Sequence, residues 1–283
     1  MPKTAKDCPL DLCTSCAGWL LHTETAYMLY YAQGVSLLSY EQKISSLADL
    51  VRHAGRVVFF GGAGVSTESG IPDFRSAQGL YHQKRLVPAE EVLSIGYYRQ
   101  HPDAFYQFYR ENLLCLDALP NAAHRTLARW EHMGKLTDIV TQNIDGLHQL
   151  AGSRRVWELH GSVHRNLCGR CSKVYDARFV AACEGSPKCA CGGSVKPDVV
   201  LYGESLDPDV IEGAIDAISR SDLLIVGGTS LQVYPAAGFV QGYRGNLVII
   251  NKSPTPMDHQ ADLVIDQPIG QSLEQADALL TSE

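Results

Sequence analysis

The chain has 283 residues, of which 45% are hydrophobic and 19% are charged, and its formal net charge is −7 at pH 7. This length is sufficient to bury a full hydrophobic core, with room for one large domain and a smaller one. The acidic balance argues against a nucleic-acid-binding surface, which needs an excess of Lys and Arg, and the longest early apolar run, residues 26–38, is too short to span a bilayer. Because Asp7, Asp11 and Glu24 precede that run, it makes a poor signal peptide. We therefore expect a cytoplasmic protein without nucleic-acid or membrane partners.

From residue 41 onward, short apolar runs alternate with helical patterns. Residues 43–54 have the spacing of an amphipathic helix, and further helices are predicted from Pro208, over 235–243 and over 270–280. The predicted strands cover residues 56–60, 136–141, 156–159, 198–201, 223–226, 247–250 and 263–265. This alternation predicts an α/β fold with a Rossmann-like parallel sheet and helices on both faces. Ligands of such sheets bind at the carboxyl ends of the strands.

Two stretches interrupt this pattern. Residues 77–120 are rich in Tyr, Phe, Leu, Gln and Arg without a strand pattern, which predicts a helical insertion. Residues 163–196 contain a cysteine cluster and are predicted to form a small zinc-binding domain. The Rossmann-like domain would then consist of residues 41–76, 121–162 and 197–283.

Residues 1–40 match no part of this architecture. We interpret them as a poorly ordered N-terminal extension, or as a stretch upstream of a chain that begins at Met28, in preference to a second metal site built on Cys8, Cys13 and Cys16.

The glycine-rich stretch that follows the first predicted strand is the first candidate site. Gly61-Gly62-Ala63-Gly64 precedes a predicted helix start at Ser66 or Thr67, and backbone N–H groups at a helix start attract phosphate. Taken alone, such a stretch after a strand is more often only a tight turn. No acidic residue ends the second strand to hold an adenosine ribose, so a dinucleotide would adopt a pose unlike that in ordinary dehydrogenases.

The cysteine cluster predicts a metal site. Cys168-x-x-Cys171 is followed after 17 residues by Cys189-x-Cys191. Four thiolates in two close pairs complete a tetrahedral shell, so the zinc would be structural rather than catalytic. Cys183 is an alternative to Cys191, and Cys115 is interpreted as a core residue.

Several of these motifs together resemble the sirtuins, the NAD-dependent protein deacylases. GAGVSTESGIPDFRS at 62–76 and TQNIDGLH at 141–148 are similar to the two family signatures, and ELHGS at 158–162 resembles the segment with the catalytic histidine. GTSLQVYPAA at 228–237 and INKSPTP at 250–256 are similar to later NAD-binding loops, so the match runs in order from about residue 42 to about 280. KPDVVLYGE and GGTSLQVYPAAG resemble bacterial members of the Gram-positive kind.

The resemblance implies roles for individual residues. His160 would be the general base that takes a proton from a ribose hydroxyl, Asn143 and Asp145 would hold the nicotinamide carboxamide, and Phe74 would cover the ribose. The other residues expected to bind NAD are Gly62, Ala63, Gly64, Thr67, Asp73, Arg75, Gln142, Ile144, Gly228, Thr229, Ser230, Asn251 and Ile269. Without the resemblance, Asn143 and Asp145 would be read as caps of the helix near Gly146, and Thr229 and Ser230 as caps of a later one.

The substrate implied by the resemblance is an acetyl-lysine protein or peptide, with NAD consumed and nicotinamide and O-acetyl-ADP-ribose released. Val200, Leu201 and Tyr202 resemble the segment that pairs with the peptide main chain. Family members that prefer succinyl-lysine have a Tyr followed three residues later by an Arg; here Tyr106 matches, but Tyr109 stands in the place of the Arg. We therefore favour deacetylation. The alternatives are a protein ADP-ribosyltransferase and a non-catalytic NAD-binding module.

Overall fold

The fold is that of a computed structural model, which describes residues 38–76, 79–83 and 85–282. Nearly all of the predicted N-terminal extension lies outside the described residues, and Tyr40 to Ser282 belongs to one compact unit. The helices are α1 (Tyr40–His53), α2 (Ala89–Val92), α3 (Ile95–Gln100), α4 (Pro102–Asn112), α5 (Ala122–His132), α6 (Leu147–Leu150), α7 (Ala177–Ala182), α8 (Pro208–Ser219), α9 (Ala236–Gln241) and α10 (Ile269–Thr281). The strands are β1 (Val57–Gly61), β2 (Leu136–Thr141), β3 (Val156–Glu158), β4 (Gly161–Cys168), β5 (Val174–Tyr175), β6 (Val195–Val199), β7 (Leu223–Gly227), β8 (Asn246–Ile250) and β9 (Leu263–Ile265).

The main sheet has six parallel strands in the order β3-β2-β1-β7-β8-β9. β2 and β3 follow β1 on one side of the sheet, and β8 and β9 follow β7 on the other side. The strand order therefore reverses between the neighbours β1 and β7. Their last residues, Gly61 and Gly227, are directly paired. In a sheet of this kind the crevice for ligands opens at the carboxyl ends of the strands on either side of the reversal.

Each face of the sheet has its own hydrophobic core. Alternate residues of β1 illustrate this, because Phe59 packs in the cluster that includes α1, α5 and α10, whereas Phe60 packs in the cluster that includes α8 and α9. Both rings are fully buried. Since apolar strands covered on both faces are typical of parallel sheets, the continuous apolar runs of the sequence have a direct structural reason. The predicted Rossmann-like fold with helices on both faces is confirmed.

The insertion between β1 and α5 contains the short helices α2, α3 and α4, which share a third apolar cluster with Val163, Val180, Val199 and Leu201. A second, antiparallel sheet has the order β5-β4-β6. Residues 198–201, predicted as a strand of the parallel sheet, are not part of that sheet: β6 ends at Val199 and pairs with β4. An apolar run of four residues does not reveal its partner, which explains the error.

The helix predicted to start at Ser66 or Thr67 does begin at Thr67, but it is only a short 3-10 helix. The stretch after β1 forms two turns of 3-10 helix, Ala63–Val65 and Thr67–Ser69, and then Gly70 adopts a left-handed conformation with φ of 84°. Within the described residues, no helix combines the length and hydrophobicity that crossing a membrane would require.

Candidate functional site

A cavity of about 1070 Å³ opens at the carboxyl ends of β1, β2, β7 and β8, where the strand order reverses. Its wall brings together residues from sequence positions almost 210 apart. The predicted site residues on this wall are Gly62, Ala63, Gly64, Thr67, Asp73, Phe74, Arg75, Gln142, Asn143, Ile144, Asp145, His160, Val200, Leu201, Tyr202, Gly228, Thr229, Ser230, Asn251 and Ile269. Their individual roles remain predictions, but one cavity contains all of them.

The glycines on the cavity wall allow two loops to pack closely. The N–H of Gly62 donates to the carbonyl of Gly227 at 3.1 Å, and the N–H of Gly64 donates to the carbonyl of Gly228 at 2.8 Å. These two amides are therefore bonded within the protein, which differs from the expectation that they would be free to bind phosphate. A Cβ at Gly64 would lie 2.7 Å from the Cα of Gly228, whose own φ is 58°. The absence of side chains here permits contact between the loops.

Gly64→Ala is expected to lower the free energy of unfolding by about 1–3 kcal/mol, the usual cost of overpacking, because backbone atoms of the facing loop must move. Gly242→Ala is the matched control, since a Cβ at Gly242 meets nothing within 4 Å and its φ is −86°. Urea denaturation of the two variants measures the effect. Equal stability of Gly64→Ala and the native protein would contradict the close contact.

A hydrogen-bonded cluster lies beyond the carboxyl end of β2. The Nδ2 of Asn143 donates to the Oγ of Ser66 at 3.0 Å, and that hydroxyl donates to the Oδ2 of Asp145 at 2.6 Å. The Oδ1 of Asp145 accepts from the N–H of Leu147 at 2.9 Å, so this carboxylate also caps α6. The capping role and the predicted role in the cavity are compatible. Sequence analysis missed Ser66, although it stands inside the motif GAGVSTESG.

His160 lies between β3 and β4, and its ring is mostly buried in the cavity wall. Its Nδ1 is 2.9 Å from the carbonyl oxygen of Gln142. A carbonyl only accepts hydrogen bonds, so Nδ1 carries the hydrogen and Nε2 has a free lone pair in the neutral ring. Burial lowers the pKa of His160, and the bond to Gln142 opposes part of that shift. The ring is thus a neutral base of fixed tautomer.

Aromatic side chains cover one side of the cavity. The ring of Phe74 is 5.4 Å from the ring of Tyr81, and the guanidinium of Arg75 is 5.2 Å from the centre of the Tyr81 ring. The hydroxyl of Tyr81 is 2.5 Å from the hydroxyl of Tyr202. Tyr81 therefore joins the segment of Phe74 to the predicted peptide-binding segment, and sequence analysis did not identify it.

The predicted peptide-binding segment has little free main chain. The N–H of Val200 donates to the carbonyl of His160, the N–H of Leu201 to Glu204 Oε2, and the N–H of Tyr202 to the carbonyl of Leu93. The carbonyls of Leu201 and Tyr202 also accept hydrogen bonds, from the N–H groups of Glu204 and Ile95. A peptide that pairs with this segment would therefore bond to the carbonyl of Val200 or displace Glu204. Sequence alone did not indicate these internal bonds.

Polar side chains that follow β7 and β8 also line the cavity. Thr229 Oγ1 accepts from Gln142 Nε2 at 3.1 Å and from the N–H of Leu231 at 3.2 Å. Asn251 Nδ2 donates to the carbonyl of Ser253 at 2.7 Å. Glu68, a cavity residue that sequence analysis missed, accepts from the N–H of Gly270 in the first turn of α10.

The four predicted zinc ligands come together beside the antiparallel sheet. The Sγ atoms of Cys168, Cys171, Cys189 and Cys191 all lie within 4.8 Å of one another. Cys168 and Cys191 are 3.5 Å apart and Cys171 and Cys189 are 3.6 Å apart, close to the spacing of about 3.8 Å that tetrahedral Zn–S bonds of about 2.3 Å require.

One of these thiols lies in surroundings that favour its thiolate form. Tyr175 donates a hydrogen bond to Cys189 Sγ at 3.0 Å, which lowers the pKa of that thiol to about 6. Cys183 is outside the cluster and Cys115 is half-buried rather than in the core. The donor set is that of a structural zinc site with all four positions filled by protein.

Tyr106 and Tyr109, the positions that bear on acyl preference, are buried in the apolar cluster of the insertion and do not line the described cavity. The hydroxyl of Tyr106 donates to the carbonyl of Val195 in β6. Arg110 donates to the carbonyl of Gly185 at 2.9 Å. Neither Tyr106 nor Arg110 lines the described cavity.

Comparison with known proteins matches this arrangement to one family. The family model described as "Sir2 family" matches residues 62–235, and the NAD-dependent protein deacetylase of Clostridium perfringens is 56% identical over 82% of this chain and 98% of its own. The chain belongs to the Sir2 family. The deacetylase of Sulfolobus acidocaldarius is 44% identical over 81% of this Sir2-family chain and 91% of its own.

Solved structures agree with this membership. A structure described as "Sir2-p53 peptide-NAD+" has a TM-score of 0.74 and 38% identity, covering 83% of this chain and 98% of its own. One described as "Sir2 bound to acetylated peptide" has a TM-score of 0.73 and 36% identity, covering 84% and 99%. The resemblance to the sirtuins is confirmed.

Proposed function

We propose that this protein is an NAD-dependent protein lysine deacetylase. The observation that carries the proposal is the convergence, in one cavity, of a neutral histidine of fixed tautomer with the hydrogen-bonded cluster of Asn143, Ser66 and Asp145. The deacetylase relatives and the family's peptide and NAD complexes support it. When bound, NAD supplies the ADP-ribosyl group that accepts the acetyl group as nicotinamide leaves.

Different residues of the cavity bind the nicotinamide group and transfer the proton. The amide of Asn143 and the carboxylate of Asp145 fit the nicotinamide carboxamide, because their partner Ser66 fixes both side chains. Nε2 of His160 accepts a proton from a ribose hydroxyl, while the Gln142 carbonyl holds the ring in place. Phe74, whose ring packs against that of Tyr81, covers the ribose and excludes water.

The structural zinc shapes the site from outside. β4 begins directly after His160 and ends at Cys168, one of the four clustered cysteines. A zinc ion bound by these cysteines would therefore fix the end of β4 that is farther from His160. Four thiolates leave no coordination position on a zinc ion for water or substrate. The zinc would therefore take no part in the proposed chemistry.

The test is mass spectrometry of an acetyl-lysine peptide incubated with the protein, with and without NAD. We expect NAD-dependent loss of the acetyl group, with nicotinamide and O-acetyl-ADP-ribose formed in amounts equal to the deacetylated peptide. Transfer of ADP-ribose to the peptide with the acetyl group retained would replace the proposal with ADP-ribosyl transfer. An intact peptide and intact NAD would indicate a binding module.

The pH dependence of the reaction follows from the state of His160. The base acts when neutral, and burial lowers its pKa below the usual 6.5. The rate is therefore expected to stay high through neutral pH and to fall only as the pH drops through this lowered value. A profile of kcat/KM from about pH 5 to about pH 9 measures it. An acid limb centred above 6.5 would show that another group is the base.

A further inference from the structure

Two histidines outside the proposed chemistry are buried against each other. The rings of His124 and His148 have centroids 4.7 Å apart, and their exposed fractions are 0% and 1%. His148 also lies beside the ring of Phe59, with centroids 6.0 Å apart. Among the described residues, no hydrogen-bond partner reaches Nε2 of His124 or either ring nitrogen of His148.

Each ring belongs to an element attached to one of the two loops of the site. His148 is in α6, directly after Asn143 and Asp145. His124 is in the first turn of α5, where its Nδ1 accepts from the N–H of the N-cap residue Asn121 at 3.3 Å. Asn121 in turn donates through Nδ2 to the carbonyl of Val65 at 2.7 Å, in the loop that follows Gly64. The contact between the rings is thus a second connection between the glycine loop and the Asn143–Asp145 loop, in addition to the hydrogen bonds of Ser66.

The pair has to be neutral to occupy this position. A proton on Nδ1 of His124 would turn an acceptor into a donor and break the bond from Asn121. Burial lowers the pKa of His124 to about 4, and burial together with the neighbouring His124 lowers the pKa of His148 well below 6.5. The charged groups that act on the pair are Asp145, which favours protonation of His124, and Arg125, which opposes it; β1 contributes only the uncharged Phe59.

We propose that His124 and His148 are positioning residues whose neutral ring contact holds the two NAD-binding loops together, so that acid opens the site before it unfolds the sheet. The link to NAD depends on the proposed function, whereas the link between the loops does not. Protons bind more tightly to the opened state, in which the rings reach water. For His124 alone, pKa values of 6.5 opened and about 4 closed predict that opening increases by about 20-fold from pH 7 to pH 5.

Hydrogen exchange measures this opening without any ligand. The amides of Leu150 and Ala151, which bond to the carbonyls of Gly146 and Leu147, report on α6. We expect their protection, corrected for intrinsic exchange, to fall by about 20-fold or more between pH 7 and pH 5, while amides of β8 keep theirs. Protection at α6 that does not change with pH would overturn the proposal.

Variants separate titration from simple packing. His124→Gln keeps an acceptor for the N-cap, because Gln at this position completes a capping box, and His148→Phe keeps a buried ring. The double variant is expected to lose the pH dependence at α6, and His124→Gln alone should reduce it if the double variant does not fold. His132→Gln, an exposed histidine on the same helix, is the control and should behave like the native protein. Equal pH dependence in His124→Gln, His148→Phe and the native protein would exclude the role.

Binding of NAD, followed by calorimetry at the same pH values, tests the connection to the site. Affinity should weaken in parallel with α6 protection in the native protein and stay constant in the double variant. If exchange behaves as expected but NAD does not bind at any pH, the proposed function fails while the positioning role stands. If NAD affinity falls equally with acid in both proteins, the pair does not control the site.

Discussion

Replacing His160 by alanine is expected to lower kcat/KM for deacetylation by about 10²–10⁴-fold, the usual contribution of a positioned general base. The structure gives a reason for the size of the loss. The ring is held by the Gln142 carbonyl at 2.9 Å with Nε2 unprotonated, so the base requires no rearrangement to accept a proton. Steady-state rates by mass spectrometry of the peptide product measure the change.

The loss in His160→Ala should fall on kcat rather than on NAD binding. The residues proposed to bind NAD are held by contacts that do not involve the imidazole, such as the bonds of Ser66 to Asn143 and Asp145. NAD affinity by calorimetry should therefore stay within about threefold of the native value, a change below 1 kcal/mol. His132→Ala, an exposed histidine, is the control. Activity of His160→Ala close to the native value would mean that another group is the base.

Removal of the zinc is expected to have the largest effect on the structure. Binding of a structural zinc contributes about 10–16 kcal/mol in small zinc domains, and this free energy stabilises the folded domain around the ion. Cys171→Ser should therefore abolish stable zinc binding, measured by elemental analysis, and unfold residues around the antiparallel sheet. Activity should fall with it, because β4 pairs with β6 and begins directly after His160.

Cys183→Ser is the matched control for the zinc experiment. Cys183 is half-buried in the same region but is not a member of the four-sulfur cluster. This variant should retain about one zinc per chain and native activity. Loss of zinc from Cys183→Ser, or full zinc content in Cys171→Ser, would show that the ligand set is different.

The sequence predicted local features whose physical cause is local. Apolar runs between helical patterns were sufficient to predict the parallel sheet, because strands that are buried on both faces are almost entirely apolar. The cysteine spacing was sufficient for the zinc site, because two close pairs of thiols can surround one ion. The resemblance of the motifs supplied the family, and the cavity contains every residue that those motifs singled out.

Tertiary structure alone decided the contacts between distant segments. Gly64 has no room for a side chain because Gly228 packs against it. Ser66 is hydrogen-bonded to Asn143, 77 positions away in the sequence, and to Asp145, 79 positions away. The sequence also did not predict that residues 195–199 pair with β4 instead of joining the parallel sheet. A hydrogen bond or a close approach between residues far apart in sequence leaves no periodicity to read. By itself, therefore, the sequence determined which chemical groups this protein has, and the fold decided which of them meet, because packing and hydrogen bonding act through distance in space.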